Sequence, residues 1–456
     1  MNGAFDRFVT ARLRPMPHTW ARLAIAIVAM GAAIHDNDGT LAEAALAWLT
    51  LGIVYAFFAL TRTDEAPERQ DGVVITAALT LSGALFLRSG VANVLLPHQY
   101  PVFVLISAAM LATGVAICLI DERYVPRAFD LLLVLAAANG LWLMTQLLMP
   151  GLDALQFQRE SAAELLRGGN PYAMTYADPY SPDESAQFYG RGISVNGRLQ
   201  FGNPYMPLTT FLSLLGQVAG DVRYASGLAV LAASWLLAHG TRSRAGYLAG
   251  ALLLLSPAFP DMAVFGWSDA YVVLLLSATW FCQRRAPRLL PYMAGLFFAS
   301  KQYTIVLAPA VLLLVDRPWR WRQLLPFALR ATAAACIVTL PLVLWNVPAF
   351  LNSAVLLQFR QPFRADALSY MAWLQPASPE RFILLPFALC ALTWIAIFWQ
   401  HRRRAVSFPL ALALVFVVFF AFNKQAFINY YFLVTACLCA ALAAEGSDAV
   451  TVTAAR

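Results

Sequence analysis

The chain is 456 residues long, 60% hydrophobic and only 12% charged, with a net charge of +7. Soluble globular proteins carry about twice that charged fraction, roughly 25%, so a water-soluble domain is excluded. The positive balance is almost all arginine, with lysine only at Lys301 and Lys424, and the arginines cluster between apolar runs. That is the pattern of cytoplasmic loops, not of a nucleic-acid-binding face.

A spanning helix needs about 20 mostly apolar residues. Such runs recur along the whole chain and predict an all-α fold, a polytopic transmembrane helical bundle of about 13–14 spans. The basic N-terminus (Arg7, Arg12, Arg14) precedes an apolar run at 23–34. No small-residue cleavage site follows, which favours an uncleaved first span over a signal peptide. Apolar runs at 19–35, 41–61, 73–97 and 101–120 make a four-span extension over residues 1–128, and 129–149 is a fifth span. The linkers alternate between arginine-bearing (61–72, 121–127) and acidic or neutral (35–40, 96–99). Basic linkers stay in the cytoplasm, so the N-terminus is expected inside and the fifth span runs outward.

Residues 150–221 then form a long polar loop on the outer face, opening on Asp153. Within it, 154–167 reads as a helix stopped by Gly168-Gly169-Asn170-Pro171-Tyr172, since the glycines permit a left-handed cap and Pro171 forbids continuation. The short apolar run 206–218 reads as a surface or partly inserted helix. Spans follow at 222–239, 245–264 and 271–282. The run 289–315 lies between two basic linkers and reads as a hairpin with Ser300-Lys301-Gln302 at its tip. Beyond 325–345 comes a second outer loop, 346–381. Spans at 382–399, 408–422 and 427–442 close the module 129–445, leaving 446–456 as a cytoplasmic tail. Proline- and glycine-interrupted helices near 256–260 and 291–295 also suit a transporter.

Under this topology Asp153, Asp261, Asp269, Lys301, Arg360, Arg364 and Lys424 converge on the outer face. Cations there run against the usual charge bias and suit an anion at the bilayer surface. One carboxylate beside them suits a general base toward a hydroxyl. Other readings stay open. Asp153 and Asp269 each fit a helix N-cap, Lys301 fits a snorkelling side chain, and Arg360 and Arg364, four apart, share a face if helical. Arg88 falls inside the third run, where a guanidinium is functional or paired. The six cysteines and five histidines show neither a disulfide framework nor metal-ligand spacing.

Asp153 after an outward span, an amphipathic helix ending in Ala163–Leu166 and Gly168–Tyr172, and Tyr205-Met206-Pro207-Leu208 opening the next helix together resemble the GT-C superfamily of integral-membrane glycosyltransferases. The nearest likeness is to bacterial polyprenyl-phosphate-mannose-dependent α-mannosyltransferases. The segments 294–314 and 422–434 are similar to that branch's lysine-bearing helix pair and its last span. The likeness covers 129–445, so the first four spans lie outside it.

The resemblance implies transfer of a sugar, mannose-like, from a polyprenyl-phosphate donor to a lipid or glycan acceptor. It implies Asp153 as catalytic base, Lys301 with Arg360 or Arg364 on the donor phosphate, and Asn170, Tyr172, Tyr205 and Asp269 in the substrate-loop region. Ala154 stands where many relatives carry a second acid, and Gly266-Trp267-Ser268-Asp269 replaces their G-Q-x-N. No cofactor is fixed, and a divalent cation stays open. The arginine- and alanine-rich usage implies a bacterial inner membrane with the active face in the periplasm. The alternative is a transporter or flippase of a lipid-linked or anionic substrate, and a third reading is a non-catalytic relative acting as a partner subunit.

Overall fold

The computed structural model describes residues 15–61, 67–147 and 151–454, with side chains as far as Gly446. The basic cluster Arg7, Arg12 and Arg14 lies outside these residues. Apolar runs become helices wherever no proline or glycine interrupts them, because a backbone in lipid must satisfy its own hydrogen bonds. The N-terminal helices are α1 (His18–His35), α2 (Glu43–Leu60), α3 (Arg69–Phe86), the short α4 (Gly90–Val94), α5 (Tyr100–Leu119) and α6 (Val125–Gln146). The first polar loop carries α7 (Asp153–Leu166), α8 (Pro182–Tyr189) and the strands β1 (Tyr176–Ala177), β2 (Ser194–Val195) and β3 (Arg198–Leu199).

Then follow α9 (Pro207–Val218), α10 (Val222–Thr241), α11 (Arg244–Leu254), α12 (Phe259–Phe265), α13 (Asp269–Arg285) and α14 (Leu290–Phe298). A 3-10 segment, Gln302–Leu313, precedes α15 (Trp321–Trp345). The second polar loop holds α16 (Val347–Phe350), a π-helical turn Leu351–Leu356, α17 (Leu357–Arg360) and α18 (Tyr370–Leu374). The chain closes with α19 (Leu385–Arg403), α20 (Phe408–Ala421) and α21 (Ile428–Ala454), so the last helix runs through most of the segment expected as a tail.

This is an all-α bundle of a multi-pass membrane protein. Among the described residues seven helices are long and apolar enough to cross a membrane, or eight if α11 and α12, bent by 56°, count as one broken span. The difference from about 13–14 lies in segments that are short or broken and in α1 and α10, which at 18 and 20 residues are long enough but less apolar. The run 245–264, expected as one span, breaks where Pro257 and Pro260 remove backbone donors. The 289–315 hairpin forms, but its second arm is 3-10, with Pro309 inside.

The core is built around α11 and α20, every residue of which is buried. Alanine and glycine in α11 and α21 let neighbouring backbones approach, the device of helix packing in lipid. The N-terminal helices share this core, with α1 against α21 and α2 against α20. At the periphery, only 11% of the α15 span is buried, against 83% for α21. Arg88 lies within the candidate span Arg69–Val94, at the break between α3 and α4. It is exposed in the turn after α3, because that helix ends at Phe86.

Both polar loops lie on one face of the bundle, hereafter the loop face. Thr40 bridges Ala367, and the Leu41 N–H donates to the Asp366 carbonyl at 2.9 Å.

Candidate functional site

Asp153 is fixed from both sides in the chain. Behind it, the buried Arg223 guanidinium donates to the Met144 and Leu147 carbonyls at the end of α6 while pairing with Asp221 at 2.6 Å. Ahead of it, α7 ends as the sequence predicts. The Gly169 N–H returns to the Glu164 carbonyl and the Gly168 N–H to that of Leu165, with Gly168 left-handed at φ 81°. That double bond is a Schellman stop.

The rest of the first loop folds over this helix. Asn196-Gly197 makes a two-residue turn pairing Val195 with Arg198, and β3 also pairs with β1. Ser181 and Glu184 form a capping box that starts α8 after Pro182. The helix delivers Tyr189 into an aromatic cluster with Phe157, Tyr176 and Phe201. There the Tyr189 hydroxyl donates to Asp153 Oδ2 at 2.5 Å.

Asp153 does not cap its helix. Leu152 holds the cap position, and Asp153 Oδ1 accepts the N–H of Ala154, at 2.6 Å. Burial pushes the carboxyl above the usual carboxylate range; the Tyr189 hydroxyl, the Ala154 N–H and the Arg364 charge pull it back without cancelling that effect. The residue is half-buried, and its carboxyl is held in one orientation.

The second acid is used differently. Asp269 follows Ser268, the cap residue of α13, and is itself no cap. Its Oδ2 accepts from Lys301 Nζ at 2.7 Å and from Asn429 Nδ2 at 2.7 Å, and its Oδ1 accepts from the Tyr303 hydroxyl at 2.5 Å. Lys301 therefore does not snorkel; it is 7% exposed. It sits in the extended break between α14 and the 3-10 segment, with its ammonium 5.3–5.7 Å from the ring centroids of Tyr205, Tyr303 and Tyr430. Both carboxylates act electrostatically on Tyr205 and Tyr430, so these rings link the two acids.

Beside Lys301 opens a cavity of about 1160 Å³, mostly apolar, with residues of α15 and α19 in its lining. At its loop-face end it is lined by Tyr205, Lys301, Gln302, Glu380, Lys424 and Tyr430, and Thr332 and Thr339 of α15 also line it. Lys424 is the residue that spacing alone undervalued. It lies in the turn between α20 and α21, and its Nζ donates to the Gln361 carbonyl at 2.5 Å and, among the described residues, meets no carboxylate. Burial lowers its ammonium to about 8. The signal in the sequence was its rarity, as one of two lysines.

Arg360 and Arg364 do not share a helical face. α17 ends at Arg360 and Gln361 turns extended, since Pro362 follows. Arg360 points to Asn352 at 2.7 Å, and neither it nor Arg364 lines the cavity. Arg364 grips Asp366 through two nitrogens, stacks 4.2 Å from the Phe188 ring centroid and faces Asp153 electrostatically. Asn170 and Tyr172 hold the loop together. Asn170 Oδ1 accepts the Tyr172 N–H, and the buried Tyr172 hydroxyl donates to the Tyr205 carbonyl while its ring packs on Phe350. Tyr205 is steadied by Asn203.

A divalent cation does not fit this donor set. Among the described residues no three His, Cys, Asp or Glu side chains come together. The position after Asp153 is Ala154, and the carboxylate of Asp269 is taken by Lys301, Tyr303 and Asn429. The chain matches no protein-family signature, no curated protein and no solved structure at a significant level.

Proposed function

We propose that this protein is a membrane glycosyltransferase of the GT-C kind, moving a sugar from a polyprenyl-phosphate donor to a lipid or glycan acceptor. The observation that carries the reading is the pairing of a fixed carboxyl, Asp153, with an apolar cavity whose loop-face end holds two ammonium groups. The cavity suits a prenyl tail, and its cationic end suits the phosphate. Mannose is the first donor to test. In this reading the loop face is the periplasmic side of a bacterial inner membrane.

In the proposed step Asp153 takes the proton of the acceptor hydroxyl. The hydroxyl oxygen bonds to the anomeric carbon as the bond from that carbon to the phosphate oxygen breaks. Polyprenyl phosphate leaves with the electron pair, held by Lys424 and by the donors of Lys301 not engaged with Asp269. Arg364 faces the base instead of the leaving group, and Arg360 has no part. The transporter reading drew on Arg88 as an intramembrane charge, and that residue is exposed at the break between α3 and α4 and does not line the cavity. The test is transfer from labelled polyprenyl-phosphate mannose, glucose and arabinose in membranes carrying this protein; absence of transfer from every donor rejects the reading.

Two pH effects follow. Transfer falls as pH drops through the raised Asp153 value, because a protonated carboxyl is no base. Tyr189→Phe removes a hydrogen bond that lowers that value, so the acidic limb moves to higher pH. A limb that stays in place uncouples Tyr189 from the base. On the other side, donor affinity falls as pH rises through about 8, where Lys424 loses its charge. Lys424→Arg keeps the cation at all working pH, so the alkaline loss disappears. Its persistence in KM–pH profiles assigns the limb to another group.

A further inference from the structure

A second pocket lies on the loop face, where α1, α3 and α4 end. Asn37, Asp38 and Gly39 are consecutively left-handed, at φ 50°, 51° and 69°, a conformation that L side chains avoid. The turn brings the Asp38 carboxylate onto Gly90, where a Cβ would stand 2.7 Å from Asp38 Oδ1. The space beside it, about 360 Å³, is lined by His35, Asn37, Asp38, Arg88, Asn93 and Tyr100.

These groups do not satisfy one another. Among the described residues Arg88 and Asp38 form no ion pair with each other or with any other side chain. His35 Nδ1 and the neighbouring Ser89 Oγ are buried without a hydrogen-bond partner. Buried polar atoms in folded proteins are nearly always bonded, so unpartnered ones around a pocket call for a ligand or ordered water. Exposed apolar residues follow the lining residues in the chain: Val94 (61%) and Leu96 (54%) after Asn93, and Leu105 (72%) on α5 after Tyr100. In a multi-pass membrane protein such a surface faces acyl chains.

We propose that this pocket binds the headgroup of a zwitterionic phospholipid, with its phosphate on Arg88 and its ammonium at Asp38. A simple anion gains Arg88 but meets the Asp38 carboxylate, and a simple cation meets the reverse. A molecule bearing both charges a few bonds apart satisfies both walls, and the exposed apolar residues of α4 and α5 receive its tails. A soluble phosphate–ammonium zwitterion shares the headgroup chemistry but gains nothing from those residues. The site stands apart from the Asp153 cavity and does not depend on the transfer reading.

The test uses the full chain in nanodiscs of phosphatidylethanolamine and phosphatidylglycerol in equal parts, released into the gas phase so that retained lipids are counted by mass spectrometry. Wild type should retain phosphatidylethanolamine in preference to phosphatidylglycerol. Arg88→Gln and Asp38→Asn should each lower its retention at least about tenfold. Arg88→Lys should keep it, and Asp38→Asn should turn the preference toward phosphatidylglycerol, since the repelling carboxylate is gone. Asparagine tolerates the left-handed backbone and Arg88 is exposed, so both variants should stay folded, as a single size-exclusion peak reports. Equal retention by wild type and both variants overturns the proposal. Thermal stabilisation by free phosphoethanolamine as large as that by the lipid, and lost in the same variants, also overturns it, by making the ligand soluble.

Discussion

Asp153→Asn should lower sugar transfer by ~10²–10⁴-fold, the span associated with losing a general base, and leave the fold intact. The two consequences come from the same geometry. Asparagine has the same shape, its carbonyl oxygen can accept one of the two bonds that Asp153 receives from Tyr189 and Ala154, and it cannot take a proton. Stability moves the other way. The folded value of Asp153 is raised above that of the unfolded chain, so ionising it costs stability as pH rises past the unfolded value. A neutral asparagine removes that cost. The thermal midpoint at pH 7 should therefore hold or rise while transfer disappears. A variant that loses transfer and melts early would mean a structural carboxyl, and one that keeps transfer would place the base elsewhere, with Asp269 next to test.

Lys301→Met should destabilise the protein by ~3–5 kcal/mol, because it leaves Asp269 as a buried charge without its cation. The Tyr303 and Asn429 donors remain, but neither carries charge. Adding Asp269→Asn to Lys301→Met should restore most of the loss, since a buried pair replaced as a unit is often neutral. Thermal midpoints of wild type, both single variants and the double variant make the cycle. Donor affinity should not return with stability in the double variant, because an ammonium at the cationic end of the cavity is gone. Recovery of both would make Lys301 a support for Asp269 alone and leave the phosphate to Lys424.

Much of this was legible in the chain wherever the information is local. Long apolar runs became helices, and the glycine pair after Arg167 stopped α7 through backbone bonds that need only neighbours. The polar turn at Lys301 separated the arms of the 289–315 hairpin. The Asn196-Gly197 turn was equally local, and its two-residue spacing between strand pairs was the signal that went unread.

What spacing could not give was the partner of each charge. Asp269 looks like a cap because it begins a helix, yet its carboxylate meets Lys301 32 residues away and Asn429 160 residues away. Arg88 read as buried because its apolar run continues past it, but the helix stops two residues earlier. Arg360 and Arg364 read as neighbours on a helix that ends between them. In each case tertiary packing, not periodicity, decides what the side chain touches.

The near-bare flank of α15 has a kinetic meaning. A cleft bounded by a span with 11% of its window buried admits its ligand sideways, so on the proposed reading the donor arrives as a two-dimensional solute. Its working concentration is then a mole fraction in the bilayer, and inert phospholipid dilutes it as water would dilute a soluble substrate. Turnover would follow the composition of the membrane, and a cell could change flux through this protein by altering its lipids without changing the amount of either enzyme or donor.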